Sequence, residues 1–170
     1  MPAGATYEPI ATTTVSSTTT GVTLSSIPST YTDLLIVTNI ITTAADRSVY
    51  LRVNGDTGSN YSYTSIYGEG TAAASGRSTS QTRSKILGEF YGTSTTVPCN
   101  IRTSILSYAG STNKTFLSSA SGDKNGTGEV GRFVGLWRST SAINSITIDT
   151  GGANDIASGT TITLYGIKAA

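Results

Sequence analysis

Apolar residues in this chain recur at alternate positions from one end to the other, and no segment sustains the i, i+3, i+4, i+7 spacing of a buried helix face. A period of two belongs to the β-strand, whose successive side chains leave opposite faces, so the pattern predicts an all-β fold. Val49, Leu51 and Val53 alternate with Tyr50 and Arg52; Ile146 and Ile148 flank Thr147; Ile162 and Leu164 alternate with Thr161, Thr163 and Tyr165. The run Asp33–Val37 is apolar at both parities and predicts a central strand covered on both sides.

Further strands are expected over Gly21–Leu24, Tyr61–Tyr67, Lys85–Tyr91, Asn100–Tyr108, Lys114–Ser118 and Val130–Arg138. Turn chemistry separates many of them, at Asn54-Gly55-Asp56, Ala109-Gly110-Ser111, Asp123-Lys124-Asn125-Gly126 and Gly151-Gly152. About eight to ten short strands with frequent turns fit a β-sandwich, and eight of them in two Greek keys would make a jelly roll. Thr suits the outward positions of such sheets, because its branched side chain fits a pleated, half-exposed surface.

Two segments lack the alternation. Residues 1–20 are rich in Thr, Ser and Ala, with Tyr7, Ile10 and Val15 as the anchors, and are expected to form an extended arm that needs a neighbour to order it, ahead of one sandwich domain at 21–170. Gly68–Ser84, with Arg77 and Arg83, is expected to be a long loop.

The residue types that carry chemistry are scarce. There is no His and one Cys, and 12% of residues are charged. General acid–base catalysis and transition-metal sites lean on His, clustered Cys or convergent carboxylates. The chain is therefore expected not to be an enzyme and to need no cofactor or metal. Asn54–Asn60 places oxygen side chains at alternate positions but lacks the terminal bidentate Glu of a calcium loop, and Asn-Gly-Asp is already a tight-turn sequence. Cys99 is expected to be a small buried apolar residue and Trp137 a core residue.

A formal net charge of +1 supplies no basic field for nucleic acid, and the seven arginines are scattered, which predicts surface or interface ion pairs of small individual worth. No apolar stretch approaches the roughly 20 residues that span a bilayer, and the first residues lack a secretory h-region, so a soluble protein made in a cytoplasm is expected. The three Asn-x-Ser/Thr sequences, at Asn60, Asn113 and Asn125, then carry little meaning. Tyr61, Tyr63 and Tyr67 alternate along one strand face and, with Arg77 and Arg83, are candidates for a protein interface or for stacking on a glycan, against the alternative of packing inside the sandwich.

The segment Ser26-Ile27-Pro28-Ser29-Thr30-Tyr31-Thr32-Asp33-Leu34-Leu35-Ile36-Val37, followed by Leu51-Arg52-Val53-Asn54-Gly55-Asp56-Thr57-Gly58-Ser59-Asn60-Tyr61-Ser62 and closed by Gly159-Thr160-Thr161-Ile162-Thr163-Leu164-Tyr165-Gly166-Ile167-Lys168, resembles a module of tailed-bacteriophage virion proteins. That resemblance implies a trimeric jelly roll that serves as a head decoration (cement) protein or as a tail, baseplate or fibre domain. Decoration of the capsid surface is the favoured expectation, with the major capsid protein and other copies of the chain as partners. Tyr7, Glu8, Ile10 and Val15 of the arm are then the candidate capsid contacts, and a tail module binding a host-surface glycan is the alternative.

Overall fold

The computed structural model describes residues 6–88, 93–152 and 155–168. They form an all-β sandwich of two antiparallel sheets. The strands are β1 (Tyr7–Thr14), β2 (Gly21–Leu24), β3 (Asp33–Ile40), β4 (Val49–Val53), β5 (Tyr61–Gly68), β6 (Ala73–Gln81), β7 (Ser84–Leu87), β8 (Cys99–Ile105), β9 (Lys114–Asp123), β10 (Gly128–Trp137), β11 (Ile146–Asp149) and β12 (Thr161–Ile167). The larger sheet runs β1-β12-β3-β8-β9-β10-β5-β6 and the smaller β2-β11-β4-β7.

Two hairpins extend a simpler plan. With β5–β6 and β9–β10 set aside, the other eight strands nest as β1-β12-β3-β8 facing β2-β11-β4-β7, so that the chain crosses between sheets at almost every connection. Leu34, Ile36 and Ile40 of β3, Ile101 and Ile105 of β8 and Leu164 of β12 pack against Leu51 and Val53 of β4 and Ile146 and Ile148 of β11 in one core. In β4 and β11 these are the alternating positions read from sequence, with Tyr50, Arg52 and Thr147 between them less buried.

Residues 7–14 are extended, as expected of the arm, and their neighbour lies within the chain. β1 pairs with β12 from Tyr7↔Ile167 to Thr14↔Thr161, with a register shift between Pro9 and Ala11. Val15 is buried in the core and Ile10 packs against it. Glu8 receives Lys168 Nζ at 2.7 Å and the Tyr31 hydroxyl at 3.2 Å, which closes the end of this edge.

Three other expectations need correction. Gly68–Ser84 is a β-hairpin partner, not a loop: β6 pairs along β5, with Thr64↔Arg77 and Ile66↔Ser75 in register. Its small polar side chains are nearly all exposed, so backbone hydrogen bonds supply the pairing and no apolar alternation announces it. Asp33–Val37 buries Leu34 and Ile36 deeply, while Leu35 and Val37 lie half-buried on the outer face of the large sheet. The strand covered on both faces is instead β7, where Ser84, Lys85, Ile86 and Leu87 are all buried. The candidate strand Lys85–Tyr91 ends as β7 at Leu87, and residues 89–91 lie outside the described ones.

β7 is covered because β10 crosses it closely. Gly135 has no side chain where a Cβ would stand 2.0 Å from Ser84 Oγ and 3.0 Å from the Phe116 ring. In the turn after β4, Asn54 (φ 51°) and Gly55 (φ 63°) form the two central residues of a type I′ turn closed by Asp56 N donating to Val53 O at 3.0 Å. The Asn54 side chain also donates to Ala142 O and accepts from Asn144 N, pinning the β10–β11 connection to this turn.

Candidate surface site

Four of the seven large apolar side chains exposed among the described residues lie on the outer face of the large sheet. Ile66 (61% exposed), Val130 (66%), Val134 (46%) and Leu117 (43%) all project from β5, β9 and β10 on that side. Register brings them together: Val134 lies opposite Leu117 on β9 and opposite Thr64 on β5, and Arg132 lies between Ser119 and Ile66. Single exposed apolar residues are ordinary, but a contiguous group on one face marks a contact surface.

β10 explains why this patch exists. Val130, Arg132 and Val134 point outward while Gly131, Phe133 and Gly135 point into the sandwich, so the strand is apolar at both parities. A Cβ at Gly131 would stand 2.9 Å from the Phe133 ring and 3.3 Å from Tyr67, so the inner face has no room for the valines. They are left on the surface. This double parity, with glycines on the inner set, is the signal in the sequence that could have located the patch.

Two contiguous depressions flank Val130. One, of about 490 Å³, runs over Ile66, Ala73, Arg102, Ser119 and Arg132; the other, of about 470 Å³, continues past Asn100 and Ser121 to Glu69 and Asp123. The second is also lined by Glu69, Asp123 and Glu129 at its far end. No group of three or more His, Cys, Asp or Glu residues among the described ones could hold a metal ion. What the face offers is apolar area, hydroxyls and guanidinium groups.

The guanidinium groups are distributed unevenly. All four lysines engage groups of the chain: Lys168 with Glu8, Lys124 with Asp46, Lys114 with backbone carbonyls, and Lys85 with the Tyr63 ring. Four arginines do likewise, Arg47 with Asp155, Arg83 with Asp149, Arg52 with Thr82 O and Arg138 with Ser59 O. Arg77, Arg102 and Arg132 form no hydrogen bond or ion pair among the described residues, and register puts all three on the outer face of the large sheet. Among the described residues, the arginine ion pairs are those of Arg47 and Arg83.

The residues singled out from sequence are dispersed. Tyr61 is fully buried, its hydroxyl donating to Val53 O at 3.2 Å and accepting from Val53 N at 3.1 Å, and its ring stacks on Trp137 with centroids 6.4 Å apart. Desolvation pushes its phenol up to about 12. Tyr67 is also buried, so the tyrosine stripe faces the interior and only Tyr63 keeps part of its ring at the surface. Arg83 is tied to Asp149 at 2.8 Å and lies 4.5 Å from the Tyr50 ring centroid, whereas Arg77 is exposed beside a depression of about 220 Å³ that Val134 also lines. Tyr7 is exposed, while Glu8, Ile10 and Val15 hold β1 in the fold. Cys99 is buried and its thiol pushed up by that burial, and Trp137 is buried in the core, as read from sequence.

Asp56 is engaged by three donors of the chain. Its carboxylate accepts from Trp137 Nε1 at 2.6 Å, Asn60 Nδ2 at 2.9 Å and Gly58 N at 2.8 Å, and these donors, Trp137 foremost, hold its carboxyl below the usual range. Comparison of the chain with protein-family models, curated proteins and solved structures finds no match.

Proposed function

We propose that this chain is a structural component of a tailed-bacteriophage virion, a decoration protein that binds the major capsid protein shell as a homotrimer. The observation that carries this reading is the uncovered apolar group Ile66, Leu117, Val130 and Val134 on a broad sheet face. Apolar side chains gathered in that way gain by burial against another protein, at about 25 cal/mol per Å² removed from water. The nested order of eight strands supports reading the sandwich as a jelly roll, and the segments that resemble the virion module fall on β3, the β4–β5 turn and β12, with β3 and β12 adjacent.

Decoration on this reading is multivalent: each subunit contributes a modest interface, and a trimer engaging several capsomers multiplies avidity without new contacts. Light scattering of the purified chain, together with its cosedimentation with undecorated shells, tests the proposal. A trimer that saturates the shells supports it. A monomer that stays in the supernatant with every shell offered removes it, and saturable binding to a host-surface glycan by virions labelled on the tail would replace it with the receptor-binding alternative.

A further inference from the structure

We infer that the outer face of β8, β9, β10, β5 and β6 is the surface that meets the shell, and that it takes a protein surface of mixed carboxylate and apolar character. The inference rests on the virion reading and adds to it the docking face and the chemistry of the partner.

Charge complementarity selects the occupant. Of the chain's 11 Lys and Arg side chains, the three without an intrachain partner among the described residues share this one face. Arg102 and Arg132 both lie opposite Ser119, one on each side, so their Cα atoms stand two strand spacings apart, about 10 Å. Along β10 and across to β5, Arg132 is ringed by Val130, Val134 and Ile66.

A guanidinium set in an apolar collar is poorly served by water once that collar is covered, and a carboxylate delivered from the partner satisfies it in a fork-to-fork pair. Carboxylates of this chain that border the face lie at its edge or are engaged: Glu69, Asp123 and the buried Glu129 line the far depression, Asp123 accepts Gly126 N, and Asp33 accepts Ser107 N. The centre is left cationic. Nucleic acid fits less well, because three cations interleaved with valine and isoleucine make a discontinuous track for a phosphate backbone.

The test uses the full chain and empty, undecorated shells, measured by cosedimentation at low and high salt. The wild-type protein should bind, and bind more weakly as salt rises. The double variant R102E/R132E should lose roughly a hundredfold in affinity, whereas T23E, on the outer face of the small sheet, should bind as the wild type does. Arg102 and Arg132 are exposed and make no hydrogen bond or ion pair among the described residues, so melting curves of the variants should superimpose on the wild type.

Each contrary result has a distinct meaning. If the wild type binds and R102E/R132E binds equally well, or T23E loses as much, the docking face is wrong while the virion reading stands. If the wild type ignores the shells, the virion reading falls and the inference with it. If the wild type instead binds duplex DNA or an acidic polysaccharide in a manner that R102E/R132E abolishes, the face serves a polyanion and the inference is overturned.

Discussion

The indole N–H of Trp137 donates to Oδ2 of Asp56 at 2.6 Å, joining the last residue of β10 to the turn after β4. This bond links the two sheets at one end of the sandwich, since β4 belongs to the small sheet and β10 to the large. The same carboxylate orders the turn through Gly58 and Asn60, so one side chain sets the path of the chain from β4 into β5.

D56N should therefore destabilise the fold by about 2 kcal/mol at neutral pH, the scale of hydrogen bonds to a charged group. A carboxyl whose folded pKa lies below its unfolded value contributes stability above the unfolded pKa, near 3.8, and loses it as pH falls through the folded value. Urea unfolding from pH 5 downward should show an acid limb that is shallower in D56N than in the wild type. An unchanged limb would mean that the carboxylate is not held by Trp137.

Tyr61 controls the opposite end of the pH range. Its folded pKa, raised to about 12 from 10.0, gives stability that is fully present below pH 10 and is lost as pH climbs toward 12. Two units correspond to about 3 kcal/mol. Y61F forfeits the hydroxyl's two bonds to Val53, a cost of about 1–2 kcal/mol at neutral pH, and should flatten the alkaline limb; stability measured between pH 9 and 12 reads both effects. Tyr108 is shifted in the same direction by its own burial and will leave a residual slope in the variant.

Ser84 and Gly135 form a coupled pair. Ser84 Oγ is buried with no hydrogen-bond partner among the described residues, so S84A should be neutral or stabilising. G135A places its Cβ against that oxygen and should cost about 1–3 kcal/mol. In the double variant the nearest remaining Ser84 atom is Cβ at 3.1 Å, and part of the loss should return. Additive effects in a double-mutant cycle of thermal unfolding would show that β10 and β7 are not in contact there.

What was legible in the sequence follows from where the physical signal resides. β4, β11 and β12 each bury one parity of apolar side chains, and the alternation that burial requires is visible without coordinates. β6 is held by its backbone alone and β1 buries little along its length, so Ala-Ala-Ser-Gly and Ala-Thr-Thr-Thr carry no comparable mark. The meeting of Arg102 with Arg132 across Ser119 depends on the register of three strands, which single-strand periodicity does not encode. Tyr61 was readable as aromatic and alternating, but its inward face is set by contacts distant in sequence, the stack on Trp137 and the hydroxyl's bonds to Val53.

The reassignment of the arm has its own consequence. Because β1 covers the edge of β12, Val15 fills the core and Glu8 binds Lys168, a chain lacking residues 1–15 should lose stability. Losing the core contacts of Ile10 and Val15 alone accounts for roughly 2–4 kcal/mol. It also leaves β12, with its Ile162 and Leu164 on the inner side, as an open strand edge prone to pairing with other chains. Thermal unfolding of the truncated protein should show the lower midpoint, and light scattering should show concentration-dependent association. A truncated chain with wild-type stability would mean that β1 is dispensable to the sandwich and free to act as an arm toward the shell.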